Sequence, residues 1–288
     1  MNKKIKNDQQ GTLYIVPTPI GNLQDISYRA LHVLQTVQLI IAENTIYTKN
    51  LLKKFNINTH IISFYKDNED LKINKIITLL NKINIALVSD AGTPTINDPG
   101  YRLINSCHKN NITVVPLPGP CALITALSAS GLPSHEFLYK GFLPKKLSQK
   151  ICALQKIKNT TITTIFYESC HRIVQSIQNI INILGDNKII VLAKEITKKW
   201  ENIKYDTAIN IFNWLKKNPL RQKGEMVILI KGHENKKKEI SLNAKNTLSI
   251  LSKEISIKSS IQLTAKIFGM NKNILYKYVM KNLKNDKK

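Results

Sequence analysis

The chain carries the sequence Thr12-Leu-Tyr-Ile-Val-Pro-Thr-Pro-Ile-Gly-Asn22, in which a β-branched run leads directly into a loop of proline and glycine. Similar runs recur about every 25 residues, and amphipathic stretches lie between them. This alternation predicts a mainly parallel sheet with helices on both faces, and ten candidate strands suit two sheets better than one. The candidate strands are Thr12–Val16, Leu39–Ala42, Ile61–Phe64, Ile85–Ser89, Thr113–Leu117, Phe137–Gly141, Thr161–Phe166, Lys188–Ala193, Met226–Lys231 and a weaker one near Ile203–Tyr205. The predicted helices between strands include Tyr28–Val37, Leu71–Lys82, Arg172–Leu184 and Ala208–Lys217.

The domain organisation follows from the breaks in this pattern. A turn-rich segment from Pro116 to Pro120 is the expected join between two α/β domains, which we place at residues 11–118 and 119–233. Residues 1–10 are polar and predict a disordered tail. After Gly232 the strands stop, and residues 240–288 predict a small helical domain in which Gly269 turns one helix into the next. That arrangement is typical of a helix-turn-helix, although short helical tails also serve only to cover a domain surface.

The composition limits the class of protein. With 288 residues, 43% hydrophobic and 22% charged, the chain is too apolar for a disordered or collagen-like protein. No apolar run approaches the roughly 20 residues that cross a bilayer, and the N-terminus lacks the apolar core of a signal peptide. The four cysteines are widely spaced and form no metal-ligand pattern. We therefore expect a cytoplasmic protein with reduced thiols, no membrane segment and no metal.

The charge is strongly basic. The formal net charge is +24, nearly all of it from lysine, since the chain has only four arginines. Lys, Ile and Asn share A/T-rich codons, so part of this charge can reflect mutational drift rather than selection. A charge this large nevertheless attracts polyanions, and a nucleic acid is the natural candidate.

Three loops rich in glycine and proline follow predicted strands of the first sheet. They are Pro17-Thr-Pro-Ile-Gly-Asn22, Asp90-Ala-Gly-Thr-Pro-Thr-Ile-Asn-Asp-Pro-Gly100 and Pro118-Gly-Pro-Cys-Ala122. Ligands of open parallel sheets bind outside the carboxyl ends of the strands, so these loops predict a built pocket. The dinucleotide, P-loop, nucleophile-elbow and zinc-protease motifs are absent from the sequence. Within the second loop, Asp98-Pro99 predicts the capped start of a helix over Gly100–Asn110.

Several long motifs resemble one known family. The residues Leu13 to Leu23, the sequence Ala86-Leu-Val-Ser-Asp-Ala-Gly-Thr-Pro94 and the sequence Asn97-Asp-Pro-Gly-Tyr101 are similar to signatures of the ribosomal RNA small-subunit methyltransferase I family. The similarity continues in order through four further segments. These are Val114 to Ala122, Gly141 to Pro144, Ile165 to Ser169 with His171 and Arg172, and Gly224 to Val227.

The resemblance implies a fold and an activity. The family belongs to the tetrapyrrole-methylase-like, class III methyltransferases, which have two α/β domains with S-adenosylmethionine between them, here with a small helical domain at the C-terminus. Members are typically homodimers and methylate the ribose 2′-hydroxyl of a cytidine in the decoding region of small-subunit rRNA. By analogy the cofactor-binding residues are Pro17, Thr18, Pro19, Gly21, Asp90, Gly92, Thr93, Pro94, Ile96, Gly119, Pro120, Cys121, Ala122, Phe166, Tyr167 and Met226. For the apolar residues among them, and for Met226 above all, core packing is the alternative.

The reaction calls for a proton acceptor, because a ribose hydroxyl has a pKa far above 7. Glu43, Glu168 and Glu195 each follow a predicted strand. We rank Glu168 and Glu195 first, although a glutamate at a strand end more often caps a helix or pairs with a lysine.

Cations in the second half predict an RNA-binding surface. The expected contacts are Lys145, Lys146, His171, Arg172, Lys194, Lys198 and Lys199. Arg172 is the favoured phosphate ligand because its guanidinium donates in a fork, and an ion pair with Glu168 is the alternative. Aromatic residues able to stack an unpaired base are Tyr65, Tyr139, Phe142 and Trp200, with core packing expected more often for each.

One segment departs from the family pattern. The family usually reads Glu-Asp-Thr-Arg after the second strand, whereas this chain reads Glu43-Asn-Thr-Ile46. The change removes a carboxylate and a guanidinium together, which weakens either a catalytic arrangement or a structural ion pair.

Two other functions stay open on the sequence. One is a sister methylase that acts on a tetrapyrrole such as a precorrin; the basic charge and the helical tail argue against it. The other is a non-catalytic nucleic-acid-binding protein that reads DNA with residues 263–277, which would leave the three loops without a purpose.

Overall fold

The computed structural model of the protein describes residues 10–233 and 240–285. The chain divides after His233 into two compact units, and each is described by itself. Residues 1–9, which hold nearly all of the predicted disordered tail, lie outside the described residues, as do residues 234–239 and 286–288. No helix in the described ranges is long and apolar enough to cross a membrane.

The first sheet of the larger unit has five strands, all parallel, in the order β3-β2-β4-β1-β5. The strands are β1 (Thr12–Ile15), β2 (Leu39–Ala42), β3 (Ile61–Ser63), β4 (Ile85–Val88) and β5 (Thr113–Pro116). The helices after the first four strands are α1 (Tyr28–Thr36), α2 (Thr45–Lys54), α3 (Glu69–Leu80) and α4 (Tyr101–Lys109).

Helices cover both faces of this sheet, as the alternation predicts. Every residue of β2 and β4 is buried, which is typical of strands enclosed on two sides. One face packs with Val33, Leu34 and Leu52 of α1 and α2, and the other with residues of α3 and α4 such as Leu80 and Leu103.

The second sheet begins after helix α5 (Ala122–Ser128) and has the order β6-β7-β10-β8-β9. Its strands are β6 (Phe137–Phe142), β7 (Thr163–Glu168), β8 (Ile189–Lys194), β9 (Asn202–Thr207) and β10 (Met226–Ile230). Its further helices are α6 (Leu147–Ile157), α7 (Ile173–Leu184) and α8 (Ala208–Lys216).

The expectation of mainly parallel strands is wrong for this sheet. Only β6 and β7 pair in parallel, and the three other pairings are antiparallel. The cause is one short connection over residues 195–201, which folds β9 back on β8 as a hairpin. Helix α8 then carries the chain back to the starting edge, so β10 runs in the same direction as β9. Strand β10 therefore lies between β7 and β8 and is antiparallel to both.

Helix α4 begins differently from the prediction. It starts at Tyr101 after Gly100, which has a φ of +124° and no side-chain cap. Asp98 is therefore not its N-cap. Thr95 and Asn97 also have positive φ values, +72° and +75°, and such values in a β-branched residue are a strained conformation that marks functional loops.

The smaller unit contains α9 (Leu242–Glu254), α10 (Ile257–Ile267) and α11 (Lys272–Asn285). Gly269, at a φ of +59°, turns α10 into α11 around a core that includes Leu248, Ile261 and Leu275. A C-terminal helical region is present as predicted, whereas its assignment as a helix-turn-helix stays a prediction. The boundary at residues 118 and 119 falls between β5 and α5, inside one compact unit, and stays a prediction.

Candidate active site

The three Gly- and Pro-rich loops meet at one edge of the first sheet. Thr18 and Gly92 exchange two main-chain hydrogen bonds of 2.9 Å, and the Thr93 hydroxyl donates to the Pro120 carbonyl at 2.9 Å. Gly119 lies so close to Pro17 that a Cβ at position 119 would stand 2.6 Å from the Pro17 Cβ. The loops follow β1, β4 and β5, which are neighbours in the sheet, so their convergence results directly from the strand order.

A cleft of about 660 Å³ opens between these loops and the second sheet. This volume lies in the range of cofactor and small-molecule sites, roughly 300–1,000 Å³. The predicted cofactor residues that line the cleft are Asp90, Gly92, Thr93, Ile96, Cys121, Ala122, Tyr167 and Met226. The other predicted loop residues do not line the cleft: Pro17, Thr18, Pro19, Gly21, Pro94, Gly119 and Pro120. Of these, Pro17, Thr18, Gly119 and Pro120 make the contacts between loops described above. From the first loop, Pro17 to Asn22, the residue that lines the cleft is Ile20.

Phe166 does not face the cleft, contrary to the prediction. It is buried in the core on the other side of the second sheet, with α7 and α8. Successive side chains of a strand point to opposite faces, so Tyr167 faces the cleft and Phe166 cannot. The Tyr167 ring meets Tyr139 and Phe142 edge-on, at centroid distances of 5.2 and 5.6 Å.

These aromatic residues form an apolar wall. Burial raises the pKa of Tyr139 to about 12, and burial also raises the pKa of Tyr167, so both phenols are neutral at physiological pH. Phe142 is half exposed and lines the cleft, and Tyr65 and Trp200 are exposed too, so core packing is wrong for these three stacking candidates.

Three carboxylates face one another in the same cleft: Glu43 after β2, Asp90 after β4, and Asp98. Burial raises the pKa of Asp98 to about 6; the charge of Glu43 adds to the rise, a hydrogen bond from Ser89 opposes it, and the charge of Asp90 adds a smaller rise. Burial is also the largest cause of the raised pKa of Glu43, and the charge of Asp90 adds to it. Burial likewise raises the pKa of Asp90. The cleft therefore holds concentrated, partly desolvated negative charge. Within the described ranges, no group of three or more His, Cys, Asp or Glu is arranged to hold a metal ion.

At the segment that departs from the family pattern, Asn44 still caps the start of a helix. The Asn44 side chain accepts hydrogen bonds from the Ile46 and Tyr47 amides and so caps α2. Asparagine and aspartate are equally good N-caps, so the helix start survives the change. Ile46 is exposed, and Glu43 of the same motif still reaches the cleft.

Glu168, the first candidate base, is among the residues that line the cleft, but its carboxylate is fully buried and already bonded on both oxygens. One oxygen accepts from the Ser169 amide at 2.7 Å and from Arg172 at 2.6 Å, and the other accepts from the Ser176 hydroxyl and lies 3.7 Å from Lys150. Its side chain is fully buried. The geometry thus favours the alternative that Arg172 is a structural partner of Glu168 rather than a free phosphate ligand.

Glu195, the second candidate base, does not line the cleft. Burial alone would raise its pKa, but hydrogen bonds from the Glu225 amide and from Lys198 outweigh burial and hold that pKa below its ordinary value. A carboxylate stabilised in this way is a poor proton acceptor.

The predicted RNA cations divide into two groups. Lys194 is buried and its ammonium donates to the Leu220 carbonyl, so this geometry does not favour a contact with RNA. Lys198 is partly exposed and bridges Glu195 and Glu225. The exposed cations are Lys145, Lys146, His171 and Lys199, with the Lys199 ammonium 5.3 Å from the centre of the Trp200 ring.

Sequence reasoning missed Asp98 because the Asp-Pro pair reads as a helix start. The available signal was its position in a loop at the carboxyl end of β4, where ligands of parallel sheets bind. For Ile20 and Phe142, the sequence pattern does not distinguish an apolar residue that lines a cleft from one that packs in a core.

Comparison with known proteins agrees with this geometry. A sequence model of the tetrapyrrole (corrin/porphyrin) methylases matches residues 12–210. Among solved structures, a cobalt precorrin-4 methyltransferase superposes with a TM-score of 0.56 at 14% identity, covering 76% of this chain and 94% of that one. A diphthine synthase superposes with a TM-score of 0.58 at 13% identity, covering 77% and 90%. The family model thus assigns the chain to the tetrapyrrole-methylase class, and the solved structures share its fold.

Closer relatives narrow the family. The chain is 53% identical to a ribosomal RNA small subunit methyltransferase I from Buchnera aphidicola subsp. Baizongia pistaciae over 97% of its length and 96% of that protein. It is 49% identical to the protein of the same name from Escherichia coli O157:H7, over 95% and 96%. The chain belongs to the ribosomal RNA small subunit methyltransferase I family, and it is a methyltransferase.

The contact between the first and third loops is testable by a double-mutant cycle. Gly119→Ala is expected to lower the free energy of unfolding by about 1–3 kcal/mol, because its new methyl group overlaps the Pro17 ring. In a Pro17→Gly background the same substitution costs much less, since the overlapping atoms are gone. Chemical denaturation measures both costs, and equal costs in the two backgrounds would contradict the contact.

The role of Glu168 is also testable. Glu168→Gln is expected to cost about 3–5 kcal/mol of unfolding free energy, because it leaves Lys150 and Arg172 beside a neutral group. Glu225→Gln, at an exposed carboxylate, is the matched control and should cost under about 1 kcal/mol. A Glu168→Gln protein of wild-type stability that has lost methyl transfer would instead identify Glu168 as a reacting group.

Proposed function

We propose that this protein transfers a methyl group from S-adenosylmethionine to the ribose 2′-hydroxyl of a cytidine in small-subunit ribosomal RNA. The observation that carries the proposal is the cleft in which three converging loops, an aromatic wall and three carboxylates meet, in a chain of this family. The names of the relatives supply the RNA class, and the resemblance of the loop motifs supplies the ribose oxygen.

The chemistry of the cleft residues fits S-adenosylmethionine. The cofactor is an amphipathic nucleoside with a net positive charge, and when bound it supplies an electrophilic methyl group. Ile20, Tyr167 and Val227 offer apolar surface for its adenine, while Asp90 and its neighbours offer negative charge to its cationic end. Gly92 lies in this wall at a φ of +84°, so the main chain can approach a ligand without a side chain between them.

Asp98 is the proposed acceptor of the hydroxyl proton. Its carboxylate lies in the cleft, and with a pKa near 6 it is deprotonated at neutral pH yet basic enough to take a proton. When the ribose oxygen takes the methyl group, the methyl carbon–sulfur bond would break and leave a neutral thioether, while the hydroxyl proton would pass to an Asp98 oxygen and then to solvent. Positioning of the hydroxyl in line with the methyl group would supply most of the remaining rate enhancement.

The exposed cations Lys145, Lys146, His171 and Lys199 would bind RNA phosphates around the cleft. By analogy with the family, we further propose that the protein is a homodimer and that it acts in the cytoplasm, where its ribosomal substrate is assembled.

Methyl transfer to isolated small ribosomal subunits that lack the modification tests the proposal directly. Labelled methyl groups should appear on one ribose of the rRNA and depend on S-adenosylmethionine. Label on a porphyrinoid alone would establish the tetrapyrrole alternative. Tight binding to duplex DNA, with no transfer and no effect of S-adenosylmethionine, would establish the non-catalytic alternative.

The pH dependence tests the role of Asp98. With Asp98 as the base, kcat/KM should fall about tenfold per pH unit below the Asp98 pKa of about 6, because protonation removes the acceptor. Asp98→Asn should lower kcat by about 10²–10⁴-fold and abolish this acid limb. Asp186→Asn, at an exposed turn, is the control and should leave both unchanged. An Asp98→Asn enzyme with the wild-type profile would exclude Asp98 as the base.

A further inference from the structure

Four exposed tyrosines lie along one edge of the first sheet. Tyr28 and Tyr101 are the first residues of α1 and α4, Tyr47 is the third residue of α2, and Tyr65 follows β3 by two residues. Their exposed fractions are 94% for Tyr28, 66% for Tyr47, 43% for Tyr65 and 63% for Tyr101. We call these four residues the tyrosine rim.

The rim borders the cleft because of the topology. In a parallel sheet, the segments that follow the strands all leave at the carboxyl edge, which is the edge that holds the cleft. The rim residues follow β3, β2, β4 and β1, four consecutive strands in the sheet order. Tyr47 comes four residues after Glu43 and Tyr101 three residues after Asp98, so the rim continues directly from the carboxylates that line the cleft.

Each rim tyrosine has a cation one or two residues after it in the sequence. The pairs are Tyr28 with Arg29, Tyr47 with Lys49, Tyr65 with Lys66, and Tyr101 with Arg102. Arg102 stands 5.8 Å from the centre of the Tyr101 ring while it pairs with Asp70 at 2.6 Å. Two of the four arginines of the chain therefore belong to this edge.

Exposure alone does not make a binding surface, since Tyr205 of β9 and Tyr276 of α11 are also about half exposed. The arrangement is what distinguishes the rim. Tyr167, which lines the cleft, packs against Tyr139, whereas the rim rings are exposed and follow four consecutive strands at the carboxyl edge of the first sheet. Exposed rings with adjacent cations are the combination by which proteins hold single-stranded nucleic acid, with bases stacked on rings and phosphates on cations.

We propose that the tyrosine rim is a stacking surface for unpaired nucleotides that flank the methylated ribose. This inference rests on the proposed function, because it assumes an RNA substrate, and it adds that the substrate is bound as a single strand at this position. The net charge of +24 complements RNA. A second copy of the chain is a poorer occupant, since Arg29, Lys49 and Lys66 would meet their own like charges across a symmetric contact.

Binding of a short single-stranded RNA of mixed sequence tests the rim without methyl transfer. Stacking on an aromatic side chain contributes about 5-fold or more in affinity per base, so Tyr47→Ala combined with Tyr101→Ala should weaken binding about 25-fold or more. The conservative Tyr47→Phe and Tyr101→Phe pair keeps the rings and should restore affinity to within about twofold of wild type. Tyr205→Ala, which removes a half-exposed ring of the second sheet, should have no effect. The same RNA annealed into a duplex should bind the wild type and the alanine variant alike.

The outcomes separate this inference from the proposed function. If the wild-type protein methylates small-subunit rRNA but the alanine variant keeps wild-type affinity for the single strand, the rim is overturned and the function stands. Failure of the wild type to bind the single strand more tightly than the duplex would also overturn the rim. If the alanine variant changes the oligomeric state in sedimentation and leaves RNA affinity unchanged, the rim is a self-contact and the inference is wrong. If single-strand binding depends on the rings but no rRNA is methylated, the rim stands and the proposed function fails.

Discussion

The pair of main-chain hydrogen bonds between Thr18 and Gly92 joins the loop after β1 to the loop after β4, and the cleft depends on this junction. Main-chain contacts need no particular side chain, but they need backbones that approach closely. Gly92 and Gly119 allow that approach, and Pro17 limits the freedom of the chain before it. The order β4-β1-β5 makes the three loops neighbours, so one topological fact fixes the position of the whole first wall.

The second sheet completes the cleft and sets its electrostatics. Strand alternation turns Tyr167 toward the first sheet and leaves Phe166 in the core behind it. Across the cleft from this wall, burial is the largest cause of the raised pKa of Asp98, and the charge of Glu43 adds to it. A carboxylate whose pKa is raised, such as that of Asp98, accepts a proton more readily than an ordinary carboxylate. The carboxylates that are well satisfied, Glu168 and Glu195, stabilise the structure instead.

The sequence predicts the parts of this protein that local patterns determine. The strands, the three loops and their convergence follow from β-branched runs, from glycine and proline, and from the rule that ligands bind at the carboxyl edge of parallel sheets. The antiparallel second sheet was missed, because one hairpin over residues 195–201 reverses all later strands and leaves each strand pattern unchanged. The partners of Glu168 were missed in part, because Lys150 and Ser176 come from other helices. Asp98 was assigned to a helix cap, since an Asp-Pro pair has the same local pattern in both roles.

The decisive measurement is a crystal structure of the full chain with S-adenosylmethionine. We expect one cofactor per chain in the cleft, in contact with main-chain atoms of the loops at Gly92 and Cys121 and with the ring of Tyr167. Cofactor bound at another surface, or a cleft that stays empty at concentrations which saturate methyl transfer, would contradict it.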